Sequence, residues 1–226
     1  MKILHLSDLH FHRPWFDWVR ERAPDYDAVA IAGDLLGPES LANPRKQVRW
    51  VQSWIATFPR PLLLCSGNWD ERDIDLPEDL EGWLGALSYP HVKTDGQTTQ
   101  IGEWTIECVP WLQQPTLGGG RQLALVHCPP EGCATSIDAE SGRDFGDFNL
   151  AENLRVGICA PQIVLGGHVH NPVHWAARCG STWSINPGVG QGIDHRMPAA
   201  VAVDLDNGCA TRLLGGKSTA RVDLSP

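Results

Sequence analysis

The stretch KILHLSDLH, residues 2–10, opens the chain and decides the fold. It begins as a short apolar run, which predicts a buried β-strand over 2–7, and polar residues follow the strand at once. Similar runs at 28–32 and 61–66 predict two more buried strands, separated by helical patterns at 15–23 and 44–58. Crossover helices between short apolar strands indicate a largely parallel sheet that helices cover.

The chain beyond residue 90 is richer in strands than the first part. Strands are predicted at 98–101, 104–109, 122–127, 162–166, 173–178, 182–186 and 200–206, and one helix at 148–159. This pattern favours an α/β fold in which two sheets pack face to face between helices. With 226 residues, 42% apolar composition and no low-complexity linker, the chain is predicted to form a single domain over 1–226.

Composition and charge exclude several classes of function. The formal net charge of −9 argues against a protein that tracks long nucleic acid through its phosphates. No secretion signal and no apolar stretch long enough for a membrane span is visible, which predicts a soluble cytoplasmic protein without a membrane partner. The seven cysteines are scattered without CxxC spacing, so we expect reduced, buried thiols and no disulfide framework. The sequence carries no signal for an oligomeric state.

Polar residues follow the predicted strands at their carboxyl ends, where the loops of an open α/β sheet converge on a crevice. They are Asp8, His10, Asp34, Asn68, Asp70, His127, His168 and His170. Carboxylate, amide and imidazole groups without a thiolate suit divalent or trivalent Mn, Fe or Zn. The set without Asp70 has seven ligands, too many for one ion but suited to two ions about 3.5–4 Å apart that share a bridging carboxylate. Such a pair activates water and polarises phosphate, which predicts hydrolytic phosphoryl transfer.

Five blocks of sequence resemble the ordered motifs of the calcineurin-like metallophosphoesterases. They are Asp8-Leu9-His10, Gly33-Asp34, Gly67-Asn68-Trp69-Asp70, His127 and Gly167-His168-Val169-His170, and the resemblance extends to about residue 203. It implies a four-layered α/β/β/α sandwich with two mixed sheets. It also implies that Asp8, His10 and His170 hold one metal ion, that Asn68, His127 and His168 hold the second, and that Asp34 bridges both.

The third block departs from the family pattern at Trp69, where the family usually has a histidine that assists the leaving group. Indole cannot donate a proton to a leaving group near neutral pH, so the change favours phosphodiesters or activated esters over poor-leaving-group monoesters. The more frequent role for a tryptophan is packing, here in the volume the histidine has left. The alternative is that its face binds substrate by stacking on a nucleobase.

Several other polar residues have two interpretations. His12 lies in the same loop as His10 and could replace the missing acid, or it could be an exposed loop histidine. Asp70 normally orients the missing histidine, and here we expect it to support a backbone segment or a ligating histidine. His195 is a weaker candidate of the same kind as His12, whereas His5, inside the first strand, is expected to be structural. The charged stretch 138–147 is expected to be a solvated loop, with a lid that uses Arg143 as the alternative.

The sequence thus predicts a dinuclear-metal phosphodiesterase for small or activated phosphodiesters, with nucleotides among the candidates. A nuclease or a phosphomonoesterase is the alternative among enzymes. A non-catalytic scaffold for protein contacts is the alternative from another class, and the intact set of seven ligands argues against it.

Overall fold

The computed structural model describes residues 1–116, 118–189 and 197–224. The strands are β1 (Lys2–Leu6), β2 (Ala28–Ala32), β3 (Leu62–Cys65), β4 (Val92–Lys93), β5 (Thr98–Ile101), β6 (Trp104–Cys108), β7 (Gln122–Leu125), β8 (Ile163–Leu165), β9 (Ala176–Cys179), β10 (Thr182–Ile185), β11 (Ala200–Asp204), β12 (Cys209–Leu214) and β13 (Lys217–Asp223). The helices are α1 (Arg13–Arg22), α2 (Pro44–Ala56), α3 (Asn68–Glu71) and α4 (Phe148–Val156).

The strands form two mixed sheets. The first has the order β13-β12-β11-β1-β2-β3-β4, in which β1 to β4 are parallel and β11 to β13 are antiparallel. The second has the order β5-β6-β7-β8-β10-β9, with a parallel centre and antiparallel edge strands. The parallel strands of each sheet end on the same side, so their carboxyl-terminal loops lie together.

The alternation of side chains along each strand sorts the core into layers. In β1, Leu4 and Leu6 pack in one apolar cluster with α1 and α2, while Ile3 packs in a second cluster between the two sheets. A third cluster joins Leu150 of α4 to the outer face of the second sheet. Three apolar layers therefore separate α1 and α2, the first sheet, the second sheet and α4. The predicted α/β/β/α sandwich with two mixed sheets is confirmed.

One predicted strand begins later than its sequence suggests, and three strands were not predicted. The strand expected at 173–178 starts at Ala176, because the backbone N–H groups of Val173 and His174 donate to Ile137 and Ala134 in a neighbouring loop. Strands β4, β12 and β13 were missed. The first is only two residues long, and β13 is mostly exposed, so neither carries an apolar run.

The expectation that all cysteines are reduced was wrong for one pair. Cys133 and Cys179 form a disulfide, with Cα atoms 6.0 Å apart although 46 residues separate them in the sequence. The other five cysteines are free, and four of them are buried. No spacing rule connects the two partners, because β9 reaches the loop after β7 only through the packing of the second sheet.

No helix in the part of the chain that the structure describes combines the length and apolar composition needed to cross a membrane.

Candidate metal centre

The predicted ligands lie on loops at the carboxyl ends of parallel strands in both sheets. Those from the first sheet follow β1, β2 and β3, and those from the second follow β7 and β8. Four of them have positive φ angles, which is uncommon for residues other than glycine: 55° at Asp8, 42° at His10, 55° at Asp34 and 65° at His168. Such strained backbone is found where the surrounding structure holds functional side chains in place.

The first group of side chains consists of Asp8, His10 and His170. The Nε2 atoms of the two histidines are 3.1 Å apart. The Oδ1 atom of Asp8 lies 3.5 Å from Nε2 of His170 and 3.9 Å from Nε2 of His10. Three potential ligand atoms thus surround one point, in the geometry expected of a metal-binding group.

The second group consists of Asn68, His127 and His168. The Oδ1 atom of Asn68 lies 3.0 Å from Nε2 of His127 and 3.0 Å from Nδ1 of His168, and these two ring nitrogens are 3.2 Å apart. The family resemblance implies that these residues hold one ion, and the structure brings all three together.

Asp34 lies between the two groups. Its Oδ2 atom is 3.8 Å from Nε2 of His10 in the first group and 3.4 Å from Nε2 of His127 in the second. The other oxygen, Oδ1, accepts a hydrogen bond of 2.9 Å from the backbone N–H of Trp69 and so fixes the carboxylate. This is the position a bridging ligand requires.

The chemistry of these atoms fits a cation. The Nδ1 atom of His127 lies 2.7 Å from the carbonyl oxygen of Ala32, an acceptor, so Nδ1 carries the hydrogen and neutral His127 presents a lone pair at Nε2. That lone pair faces the Oδ1 atom of Asn68, another acceptor. When His127 is neutral these two acceptors repel each other at 3.0 Å, and either a proton on Nε2, which the raised pKa of His127 favours, or a metal ion between the two atoms relieves the repulsion. The donor set therefore fits a cation.

The electrostatics of the site also favour positive charge. Burial lowers the pKa of His127, but the charge and hydrogen bond of Asp34 outweigh burial and raise it to about 9. Burial raises the pKa of Asp8, but His170 and the neighbouring histidines lower it below its usual range. Burial lowers the pKa of His168 to about 4, with His127 acting in the same direction. Carboxylates that stay charged beside imidazoles are suited to holding a divalent ion.

Asp73, which the sequence analysis did not select, fixes the orientation of Asn68. Its Oδ2 atom accepts a hydrogen bond of 2.8 Å from Nδ2 of Asn68, which turns Oδ1 of the amide toward the two histidines. The only available signal was its position five residues after Asn68, on the turn that follows α3.

Asp70 supports backbone and does not contact a ligating histidine among the described residues. Its carboxylate accepts hydrogen bonds from the backbone N–H groups of Leu36 at 3.0 Å, Leu35 at 3.3 Å and Gly67 at 3.0 Å. Burial, followed by the charge of Asp34, raises the pKa of Asp70 to about 7. Asp70 therefore ties the loop that carries Asp34 to the loop that carries Asn68.

The loop that carries His168 and His170 is fixed by Asn186, another residue the motif analysis did not assign a role. Its buried Nδ2 atom donates to the carbonyl oxygens of Gly167 at 2.9 Å and Val169 at 3.0 Å. His5 supports the same loop from β1, with Nε2 located 2.9 Å from the carbonyl oxygen of Gly166. The structural role expected of His5 agrees with this contact.

Glycine is required at Gly167 by the closeness of β1. A Cβ atom there would lie against Ser7 and 2.7 Å from Oδ2 of Asp8, which is closer than real Cβ atoms approach. The absence of a side chain lets the backbone N–H of His168 donate to the same carboxylate at 3.0 Å. The two sequence blocks that meet here are thus packed directly on each other.

A pocket of about 390 Å³ opens beside the first group, and we call it the aromatic pocket. Trp15, Pro38, Leu41 and Trp69 form its walls, and His12, His10 and His170 also line it. Trp69 is half-buried, packs against the core and meets the ring of His10 edge to face at 6.0 Å. Both interpretations of Trp69 thus have a structural counterpart, because the same indole packs on the core and lines the pocket. His12 lies 4.8 Å from the ring of Trp15.

A second pocket, of about 190 Å³, lies on the side of His127 and is lined in part by Trp111, Gln113, Asp147 and Asn149. The Trp111 ring is 5.4 Å from His127 and 5.8 Å from His168. Trp111 was missed because it belongs to no ligand motif. It follows β6, however, and the rule that directed attention to the carboxyl ends of strands applies to it as well.

The charged stretch 138–147 is held by hydrogen bonds within the stretch and by backbone hydrogen bonds to Asn171 and Pro129 in neighbouring loops. The exposed Arg143 stacks on the ring of Phe145 at 5.0 Å, Asp138 accepts hydrogen bonds from Ser141, and Asp147 caps α4. These contacts agree with the expectation of a solvated loop. His195 lies outside the described residues.

The fold and the site together define a metallophosphoesterase, and the chain belongs to the calcineurin-like phosphoesterase superfamily, whose domain matches residues 1–208. The fold resembles that of the protein TT1561 from Thermus thermophilus, with 16% identity over 99% of both chains and a TM-score of 0.57.

Two further solved structures have the same fold. YfcE, a phosphoesterase from E. coli, is 17% identical over 100% of both chains with a TM-score of 0.50. An archaeal phosphodiesterase is 16% identical, covering 94% of this chain and 99% of its own, also with a TM-score of 0.50. No curated protein matches the chain significantly. At these identities the likeness establishes the fold alone, while the family membership supports a phosphoester hydrolase.

Proposed function

We propose that the protein is a dinuclear-metal phosphodiesterase that hydrolyses small or activated phosphodiesters. The observation that carries this proposal is the position of Asp34, whose Oδ2 atom lies 3.8 Å and 3.4 Å from ring nitrogens of the two ligand groups. One carboxylate shared by two groups of donors is the arrangement that two adjacent metal ions require.

The proposed division of the ligands is the one that the family resemblance implies. Asp8, His10 and His170 would hold one ion, Asn68, His127 and His168 the other, and Asp34 would bridge them. Imidazole, amide and carboxylate donors without a thiolate favour Mn, Fe or Zn. Two bound ions supply Lewis acidity, which activates a water molecule as the nucleophile and polarises the phosphate oxygens. The protein's own part is to hold the ligands in place through Asp70, Asp73 and Asn186.

The preference for diesters rests on Trp69, which stands where the family usually has the histidine that assists the leaving group. Trp69 lies beside His10 and has no group that can transfer a proton near neutral pH. General acid assistance is typically worth about 10²–10⁴-fold, so esters with poor leaving groups lose most from its absence. Trp69→His should raise turnover of such monoesters relative to activated diesters. Unchanged relative rates across a leaving-group series would contradict this account.

His12 is the proposed substitute for the missing acid, because it lines the aromatic pocket together with His10 and Trp69. His12→Ala should lower turnover most for substrates with poor leaving groups. His174→Ala, at a histidine on the exposed segment after His170, is the matched control. A His12→Ala variant with the wild-type profile at every pH would end this assignment.

The function itself is tested by loading the protein with Mn, Fe or Zn, measuring bound metal and following hydrolysis of bis-para-nitrophenyl phosphate. We expect two ions per chain and turnover. His168→Ala should lose one ion and at least about 100-fold in rate. His91→Ala is the control, at a half-buried histidine that contacts the carbonyl oxygen of Ile55. This variant should retain both ions and the wild-type rate.

The alternatives give different results in the same assays. A strong preference for monoesters would replace the diesterase with a phosphomonoesterase, and cleavage of long DNA or RNA would indicate a nuclease. A protein that bound no metal and showed no turnover would be a scaffold. The net charge of −9 supports small substrates over long nucleic acid.

A further inference from the structure

The aromatic pocket differs in chemistry from the pocket on the other side of the ligand groups. Its walls are apolar, and no carboxylate, guanidinium or ammonium group of the described residues lines it. The pocket beside His127 is lined by an amide at Gln113, a second amide at Asn149 and the carboxylate of Asp147. The two ligand groups therefore face environments of different polarity.

The aromatic pocket is continuous with the first ligand group. His10 and His170 belong to that group and also line the pocket, so the pocket directly adjoins the position of a bound phosphate. A phosphodiester carries two ester arms, and an arm that points toward His10 enters this pocket directly. Its volume of about 390 Å³ falls within the range of small-molecule sites.

The walls contain apolar surface that no other part of the described chain covers fully. Leu41 is 56% exposed, and Trp15 and Trp69 are half-buried. Apolar side chains that converge on a concave site next to polar reactive groups are the usual construction of a ligand pocket. An apolar arm would remove this surface from water. A charged arm would lose hydration, and among the described residues only the imidazoles of His10, His12 and His170 could compensate that loss.

From this juxtaposition we infer that the substrate is an asymmetric phosphodiester with one uncharged apolar arm, an aromatic ring or a short alkyl chain, bound in the aromatic pocket. The inference rests on the proposed phosphodiesterase function and specifies its substrate class. Leu41 and Trp69 are the residues that select this arm. Trp111 and its polar neighbours face the other arm.

The test uses direct binding, so it does not depend on turnover. Isothermal titration calorimetry on the metal-loaded protein compares three phosphonate monoesters that have poor alkoxide leaving groups: methyl, benzyl and 4-carboxybenzyl methylphosphonate. We expect the benzyl compound to bind about tenfold more tightly than the methyl compound, as stacking on an aromatic wall commonly provides. The 4-carboxybenzyl compound should bind no better than the methyl compound.

Leu41→Asp should abolish the benzyl preference, and because Leu41 is exposed the variant should fold normally. Leu112→Asp is the matched control, since Leu112 is 67% exposed and lines the opposite pocket. Trp69→Ala should reduce the preference as Leu41→Asp does.

Hydrolysis of bis-para-nitrophenyl phosphate by the same preparation tests the phosphodiesterase function separately from the preference for an apolar arm. Turnover with equal affinity for all three phosphonates would overturn the inference and leave the phosphodiesterase function in place. An equal loss of preference in Leu41→Asp and Leu112→Asp would also overturn it. If the preparation showed no turnover and bound none of the phosphonates, the proposed function would be overturned, and the inference with it.

Discussion

His5 should make the protein sensitive to acid, because it is neutral in the folded state. Its side chain is fully buried between the sheets, and Nε2 donates to the carbonyl oxygen of Gly166, which can only accept. The other ring nitrogen, Nδ1, has no hydrogen-bond partner within the described part of the chain, and the backbone of Ala30 and Ile185 and the charge of Asp8 only partly offset the burial of a second proton. Burial accordingly lowers the pKa of His5 from 6.5 to about 4.

The size of the effect follows from the difference between the two pKa values. Between pH 6.5 and about pH 4 the unfolded chain binds a proton at this residue and the folded protein does not, so stability falls as the pH falls. The contribution of His5 to the free energy of unfolding is fully present above about pH 6.5. About 3 kcal/mol of that free energy is lost once the pH has fallen below about 4. Between about pH 7.5 and about pH 5.0 the loss is about 2 kcal/mol.

The assay is urea unfolding at about pH 7.5 and about pH 5.0, with a chelator present so that metal release does not contribute. His5→Gln keeps a donor near Gly166 but does not titrate, so its acid destabilisation should be about 2 kcal/mol smaller than that of the wild type. The other histidines contribute equally to both proteins and cancel in the comparison. The same loss of stability in both proteins would refute the reasoning.

Three other predictions concern the support of the site and the cysteines. Asp73→Ala should weaken metal binding by about 10–100-fold, since the Asn68 amide loses the partner that orients it, whereas Asp75→Ala, at an exposed carboxylate nearby, should not. A chelator competition titration measures this, and equal affinities would contradict the role of Asp73. Gly167→Ala should destabilise the protein by about 1–3 kcal/mol in urea unfolding, because the added Cβ lies 2.7 Å from the Asp8 carboxylate. Gly118→Ala, where a Cβ meets nothing within 4 Å, is the control, and an equal effect of both changes would refute the packing argument. The unfolded protein should show five reactive thiols before reduction and seven afterwards, while seven thiols before reduction would exclude the disulfide.

The sequence by itself determined the parts of the structure that depend on local pattern. Short apolar runs followed by polar residues predicted β1, β2 and β3 and placed Asp8, Asp34 and Asn68 at their carboxyl ends. Parallel strands must end on the same side of a sheet, so the convergence of these residues followed without knowledge of the packing. The departure at Trp69 was likewise visible in the sequence, because it changes the chemistry of a recognisable block.

Only the tertiary structure decided which distant side chains meet. The bond from Asp73 to Asn68, the contacts of Asn186 with the His168 loop and the Cys133–Cys179 pair depend on how two sheets pack. The delayed start of β9 has the same cause, since a neighbouring loop takes the backbone bonds of residues 173 and 174. The aromatic pocket belongs to this category as well. Its walls come from separate segments of the chain, and nothing in the periodicity of any one segment predicts that they enclose a common volume.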